Sequence, residues 1–245
     1  MGAIKANNYS SGRPLRFYDA STHETVNMVS HTYLYDDFLG VAVDATNDWN
    51  SSIVNSSTFA VVASGTGGIG RITTGAQDDD DHDVATPLVW KAANACCMEA
   101  RITTADIANT AMYIGFSDAI TTAADLIPMT YATTTLTTTA ANAAGFFTDK
   151  DATTNRLMAC TVKANVDGTL VEAGTLPVDA AYHIYRVECD SDGNVYFYYD
   201  GALVGTQLLG ITTSTALCAI VSLINREGSA NTLDIDYIRV WQKRV

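Results

Sequence analysis

The stretch 182–206, YHIYRVECDSDGNVYFYYDGALVGT, constrains the fold more than any other part of the chain. Tyr185, Val187 and Cys189 share one parity, and Arg186, Glu188 and Asp190 share the other. Side chains on a strand switch faces at every residue, so this alternation marks a half-buried strand. Ser191-Asp192-Gly193-Asn194 is turn chemistry, with glycine free to take positive φ. Val195, Phe197 and Tyr199 then resume the buried parity, while Tyr196 and Tyr198 take the other face. Asp200-Gly201 makes a second turn, and Leu203-Val204 opens a third strand. Two hairpins in series form an antiparallel meander. The end of the chain, LDIDYIRVW at 233–241, reads as a closing strand.

The rest of the chain extends this pattern. Strand-like runs occupy 58–63, 70–74, 84–90, 96–102, 112–117, 145–148, 157–164, 168–173 and 216–225. Short strands separated by turn residues predict an all-β sandwich of two antiparallel sheets. Helical patterning is confined to one turn at 104–109, where Thr103 or Thr104 can cap before Asp106. Residues 1–34 are polar and weakly periodic and form an N-terminal arm ahead of a single domain at 35–245. Within the arm, Arg13, Arg16, Phe17 and Tyr18 are candidates to anchor on a partner; the alternative is a disordered or surface-wrapped tail. Residues 119–144 are dominated by Ala and Thr, which predicts a surface loop or edge hairpin rather than a core strand.

Composition excludes several classes. The formal net charge of −13 disfavours nucleic acid, whose phosphates need Lys and Arg. No run of about 18 apolar residues offers a membrane span, and the first residues lack the apolar stretch of a signal peptide. The five cysteines, Cys96, Cys97, Cys160, Cys189 and Cys218, are odd in number and lack CxxC spacing. They read as buried free thiols of a protein made in a reducing cytoplasm.

Few motifs suggest chemistry. Residues 65–70, GTGGIG, match a dinucleotide fingerprint in letters, but the strand-like 71–74 follows where a helix is required, so a flexible turn is expected. The acidic run DDDDHD offers Asp78, Asp79, Asp80, Asp81 and Asp83 as candidate Ca²⁺ ligands, without EF-hand spacing. A solvated acidic loop is the expectation there, with no cofactor. Glu99, Glu172, Glu188 and Glu227 are each isolated in sequence.

The segment 183–206, together with Asp236-Tyr237-Ile238-Arg239-Val240-Trp241, resembles the concanavalin A-like lectin/glucanase superfamily. That resemblance implies a jelly-roll of two sheets closing on a D-Y-[VI]-R-V-aromatic strand. More narrowly, Asp36-Asp37-Phe38-Leu39-Gly40, Trp90-Lys91-Ala92-Ala93-Asn94, Met98-Glu99-Ala100-Arg101 and Ile114-Gly115-Phe116-Ser117-Asp118 resemble tailed-phage virion proteins of the head-decoration kind. That resemblance implies a capsid-surface protein made in the host cytoplasm, with the major capsid protein as partner and a homo-oligomer, by analogy a trimer. The superfamily's hydrolases carry E-[hydrophobic]-D-x-x-E along one strand, which sets two carboxylates on one face. No glutamate here begins that pattern, so the expectation is a protein that is not an enzyme. The alternative function is a lectin-like module adhering to host glycans, with Tyr196, Tyr198 or Trp49 stacking on sugar rings.

Overall fold

The computed structural model describes residues 16–19, 24–27, 31–40, 42–44, 48–62, 67–119 and 127–244. Early in the chain come β1 (Arg16–Asp19), β2 (Glu24–Asn27), β3 (His31–Asp36), β4 (Asn50–Ile53), β5 (Thr58–Val61), β6 (Gly70–Thr73) and β7 (Asp81–Ala85). The middle supplies β8 (Cys97–Thr104), β9 (Thr110–Ser117), β10 (Met129–Ala132), β11 (Thr135–Thr138), β12 (Asn142–Asp149) and β13 (Leu157–Lys163). The remainder supplies β14 (Val166–Asp167), β15 (Val171–Gly174), β16 (His183–Cys189), β17 (Val195–Tyr199), β18 (Ala202–Gln207), β19 (Cys218–Asn225) and β20 (Thr232–Lys243).

These strands make two large antiparallel sheets. Sheet I runs β14-β13-β12-β9-β19-β7-β4, with β15 also on β13. Sheet II runs β18-β17-β16-β8-β20-β6-β5, with β3 also on β20. β1-β2 and β10-β11 are separate hairpins. The architecture is the expected jelly-roll sandwich. β3 begins at His31, so the line drawn before Tyr35 falls inside a strand that pairs Asp36 with Ile238 and His31 with Lys243.

The parity of the meander decides which face meets the core. Tyr185, Val187, Cys189, Val195 and Phe197 all point inward and are buried. Phe146 from sheet I packs edge-on against both Tyr185 and Phe197, with ring centroids 5.6 Å apart in each case. Ile114, Phe116, Leu223, Ile235, Ile238 and Val240 complete this inter-sheet core. Each such side chain contributes about 1.5–3 kcal/mol by leaving water. Trp49, expected on the surface, is instead buried at 2 % exposure. Its ring lies 6.0 Å from Phe38, and its indole N–H donates to Asp36 at 2.8 Å.

The described part of the Ala/Thr-rich insertion, from residue 127 onward, contains a hairpin, β10-β11, but it lies over a sheet face rather than at an edge. Ile127, Met129 and Ala140 pack on Ala111, Tyr113, Phe147, Cys160, Val162, Cys218 and Ile220, forming a second apolar cluster on the outer face of sheet I. The Thr139 hydroxyl donates to the Ile127 carbonyl at 2.7 Å, and the Tyr131 amide donates to Asp149 at 3.0 Å. The few large side chains among the small ones do the covering.

The acidic run also departs from expectation. Only its start is a solvated turn, with Asp78 and Asp79 exposed: Asp81 opens β7, and Asp80, Asp81, His82 and Asp83 are all at most 2 % exposed. β7 sits between β19 and β4, pairing Ser222 with Asp83 on one side and Ser52 with Asp83 on the other. Interior strand position overrode the low strand propensity of aspartate. The glycine motif leads into a strand rather than a helix, since β6 begins at its last residue, Gly70. Gly68 takes φ +83°, and a Cβ there would stand 2.0 Å from the Asp37 carbonyl oxygen, which only glycine avoids.

Candidate functional site

The outer face of sheet II carries the charged and aromatic residues that alternate with the core set. A register shift between Ile235 and Tyr237 lets β20 present Asp234 and Asp236 and then Tyr237, Arg239 and Trp241 on this side, while Ile238 and Val240 stay inside. β8 lies between β20 and β16 and sets Glu99 opposite both Arg239 and Arg186. Three central strands therefore bring together residues that are 87 and 140 positions apart in sequence.

Glu99 is the hub. It is 5 % exposed and accepts from the Tyr237 hydroxyl at 2.7 Å and from Arg239 Nε at 2.9 Å. Arg239 Nη2 adds an ion pair at 2.7 Å, and Arg186 Nη1 lies 3.7 Å from the other carboxylate oxygen. Arg186 is 3 % exposed and also pairs with Glu188. Its guanidinium stands 5.7 Å from the Tyr198 ring centroid and 5.3 Å from that of Trp241, and Arg239 lies 5.2 Å from Trp241. A planar cation between aromatic faces is held by the rings' negative quadrupole as well as by its carboxylates. Burial pushes the Tyr237 phenol up, and the charge of Glu99 adds to it. Burial likewise raises Tyr33 to about 12 against the opposing pull of Arg239, and raises Tyr198, with Glu188 adding to it. These phenols stay protonated as donors at neutral pH.

A cavity of about 290 Å³ opens beside this network, lined by Arg186, Glu188, Asp190, Tyr196, Tyr198 and Trp241, with Ala95 and Cys97 at its edge. Asp190 organises the turn after β16. Its carboxylate accepts from the Asn194 side chain at 2.8 Å, the Asp192 amide at 3.0 Å and the Tyr196 hydroxyl at 3.2 Å. Although burial works against it, these bonds hold its pKa below the ordinary carboxylate value. Tyr196 and Tyr198, the two sequence-derived contact residues, thus share one concavity. A larger cavity of about 680 Å³ lies at the edges of the two sheets. Its polar groups are engaged in holding that edge: Thr161 with Gln207, Gln207 with the Thr169 carbonyl, and Lys163 Nζ with the Leu209 carbonyl at 3.0 Å. The smaller cavity has the richer chemistry for a ligand.

The other candidate residues are dispersed. Arg16, Phe17 and Tyr18 lie in β1, paired with β2, and Arg13 falls outside the described residues. The acidic residues do not converge on one point. Asp79 pairs with Arg226, Asp80 accepts from Asn55 and from the Gln77 amide, and Asp81 and Asp83 lie within β7. Arg226 also holds Asp149 at 3.2 Å and Asp151 at 3.6 Å, placing a guanidinium where three carboxylates meet. Burial works against the charge on Arg226, but Asp149 and its neighbours hold its pKa above the ordinary value. Among the described residues, no group of three or more His, Cys, Asp or Glu is arranged to hold a metal ion. All five cysteines are free and buried: Cys96 and Cys189 in the inter-sheet core, Cys160 and Cys218 under the hairpin, and Cys97 beside Trp241.

Sequence reading missed Glu99, Arg186, Arg239 and Trp241 as a unit. The available signal was their shared outward parity on predicted strands, which becomes proximity only once strand order is known.

No family model and no curated protein sequence matches the chain. Solved structures do. The Bacillus licheniformis β-glucanase is 16% identical with a TM-score of 0.57, covering 86% of this chain and 98% of its own. The carbohydrate recognition domain of Emp47p is 10% identical with a TM-score of 0.59, covering 90% and 100%. A Bacteroides ovatus mixed-linkage glucan GH16 protein is 12% identical with a TM-score of 0.58, covering 84% and 99%. The fold is that of concanavalin A-like glucanases and lectins.

These neighbours correct the expectation that the chain is not an enzyme, because the fold it shares is one that glycoside hydrolases use. The one-strand carboxylate pattern behind that expectation remains absent, yet glutamates do meet across strands. Glu99 and Glu188, isolated in sequence, meet on the single guanidinium of Arg186. A search along one strand cannot find a carboxylate pair assembled across two.

Proposed function

We propose that this protein is a carbohydrate-recognising jelly-roll displayed on a tailed-phage virion, with the outer face of sheet II as its sugar-contact surface. The observation that supports this reading most is the cavity in which Tyr196 and Tyr198 meet Arg186, Glu188, Asp190 and Trp241. A pyranose presents a C–H face and a rim of hydroxyls. Tyrosine faces match the first, and carboxylates and guanidinium N–H groups match the second.

The virion setting rests on the sequence resemblance to head-decoration proteins, with the major capsid protein as partner and a trimer as the assembled form. Five free thiols suit synthesis in a bacterial cytoplasm. The charge of −13 suits a surface that keeps neighbouring particles apart.

A glycan array probed with the full chain and with Tyr198→Ala tests the sugar reading. Binding by the first and not the second is expected; equal binding by both removes the assigned site. The same panel, followed for released reducing ends, reads whether Glu99 and Glu188 also do chemistry. Co-sedimentation with purified phage heads tests the virion reading, which requires stoichiometric copy number; trace amounts would overturn it.

A further inference from the structure

Two of the five cysteines face each other across neighbouring strands. β8 and β16 run antiparallel with Glu188 opposite Cys97, so the next position sets Cys189 opposite Cys96. The Cys189 amide donates to the Cys96 carbonyl at 2.8 Å, which makes them a hydrogen-bonded cross-strand pair. Ala95, at φ 50°, ends the helical turn Ala92–Asn94 and delivers Cys96 into this register. Both side chains point into the inter-sheet core, and the two thiols hydrogen-bond to each other. The α-carbons of such a pair stand about 5.5 Å apart, within the range most common in disulfides. Closing an S–S bond of about 2.0 Å then needs rotation of the side chains and no movement of the strands.

The other three thiols are excluded by their positions. Cys97 lies on the opposite face of β8, against Trp241 and Tyr33. Cys160 on β13 and Cys218 on β19 have β12 and β9 between them, about 14 Å at ordinary strand spacing. Both also lie on the outer face of sheet I, across the core from Cys96. The facing pair has a route to solvent, because Cys96 and Cys189 stand in the wall of the 290 Å³ cavity. Burial pushes the Cys96 thiol well above the ordinary cysteine value, and Cys189 beside it adds to the shift. The reactive form is the thiolate, so the pair reacts slowly at neutral pH and faster as pH rises.

We infer that Cys96 and Cys189 form a redox site: hydrogen peroxide entering by the sheet II cavity closes them into a disulfide that staples β8 to β16. One thiol attacks peroxide and becomes a sulfenic acid, releasing one water. The other thiol attacks that sulfur, the S–S bond forms, and the sulfenic oxygen leaves as a second water. The two sulfurs lose two electrons, which reduce the two peroxide oxygens, and the two thiol hydrogens end in the waters. β8 carries Glu99, and β16 carries Arg186 and Glu188, so the bond fixes the two strands that build the cavity floor. The inference stands on the geometry of the pair and holds whether or not the cavity takes sugar.

Thiol counting on the full chain tests it. The reduced protein is treated with hydrogen peroxide, quenched with catalase, unfolded and alkylated, and its intact mass gives the number of thiols left. Five alkyl groups before treatment and three after are expected, since the pair removes two of the five thiols. Chymotryptic mapping should link Cys96 to Cys189. Cys97→Ala should fall from four alkyl groups to two, while Cys96→Ala and Cys189→Ala should stay at four. The oxidised chain should melt roughly 4 °C or more above the reduced chain, because the bond closes a long loop in the unfolded state. Cys189→Ala should show no such rise. The mapping is read on the wild-type chain, so it decides the matter even where an alanine variant fails to fold. A count that stays at five, a link through Cys97, Cys160 or Cys218, or loss of thiols with no link at all overturns the inference. A Tm unchanged or lowered by oxidation overturns it too, since closure would then strain the strands it is meant to staple.

Discussion

The two sheets present opposite outer faces. That of sheet I is apolar and closed: the β10-β11 hairpin lays Ile127 and Met129 over Phe147, Tyr113 and Ile220. That of sheet II is aromatic and ionic, and a cavity beside it remains open. Both faces come from strands with equally good inward parity, so the inter-sheet core does not distinguish them. The difference lies in the alternate residues. Where these are Ala, Phe, Cys and Val, the chain must supply its own cover; where they are Glu, Arg, Tyr and Trp, the face satisfies itself laterally and needs none. The comparison therefore assigns stability to the closed face and recognition to the open one.

The sharpest way to break this assignment is to cut into each face. Phe147→Ala removes a fully buried ring from the closed side and should cost about 3–5 kcal/mol in urea unfolding, because the hairpin cannot collapse into the space. Glu99→Ala removes the hub of the open side. Two arginines, one of them 3 % exposed, would then lose their shared carboxylate, with a similar expected cost of about 3–5 kcal/mol. The two variants should differ in kind. Phe147→Ala leaves the cavity residues in place, so any sugar binding survives below the melting transition. Glu99→Ala loosens Arg186 between Tyr198 and Trp241 and should weaken binding even where the protein is folded. If Phe147→Ala weakened ligand binding as strongly as Glu99→Ala, the division of labour between faces would fail.

The same contrast explains what was legible in the sequence. The parity of β16 and β17 was readable because Val187, Phe197 and their neighbours alternate strictly with polar residues, and the core they build is the one expected. Tyr196 and Tyr198 were placed on the correct outward side for the same reason. β7 was not readable. Four consecutive aspartates before His82 carry the signature of a loop, and only the pairing of β7 between β19 and β4 makes a strand of Asp81–Ala85. The cover over sheet I was half readable, because Ile127 and Met129 are too few to give a period within an Ala/Thr run. The Glu99–Arg186–Glu188 cluster was illegible in principle, since it depends on β8 lying between β16 and β20.

β7 also offers a test by pH. His82 is fully buried; its Nε2 shares a hydrogen bond with the Ser51 hydroxyl at 2.6 Å, and its ring lies 6.3 Å from Phe59. Burial lowers its pKa to about 4. The unfolded chain, with an ordinary imidazole near 6.5, then binds this proton before the folded chain does. The contribution of His82 is therefore complete above pH 6.5 and is lost progressively as pH falls toward 4, by about 3 kcal/mol in all. His82→Gln cannot titrate. Its deficit relative to wild type, measured by urea unfolding, should be largest at pH 7 and shrink toward pH 4. A constant deficit across that range would mean that the imidazole takes up its proton in the folded state as readily as in water.

The smallest effect is expected at the rim of the open face. Arg71 and Asp234 form a two-pronged pair at 2.6 and 2.7 Å, but the arginine side chain is 41% exposed. Solvent and salt screen such a pair, so Arg71→Ala should cost no more than about 1 kcal/mol and should lose most of that cost in 0.5 M salt. Glu99, by contrast, is shielded from both, and the cost of Glu99→Ala should barely change with added salt. The salt dependence of the two variants, measured side by side, separates the part of this face that is solvated decoration from the part that is built. Should Glu99→Ala prove as salt-sensitive as Arg71→Ala, water reaches Arg186, and the cavity on this face lacks a fixed floor.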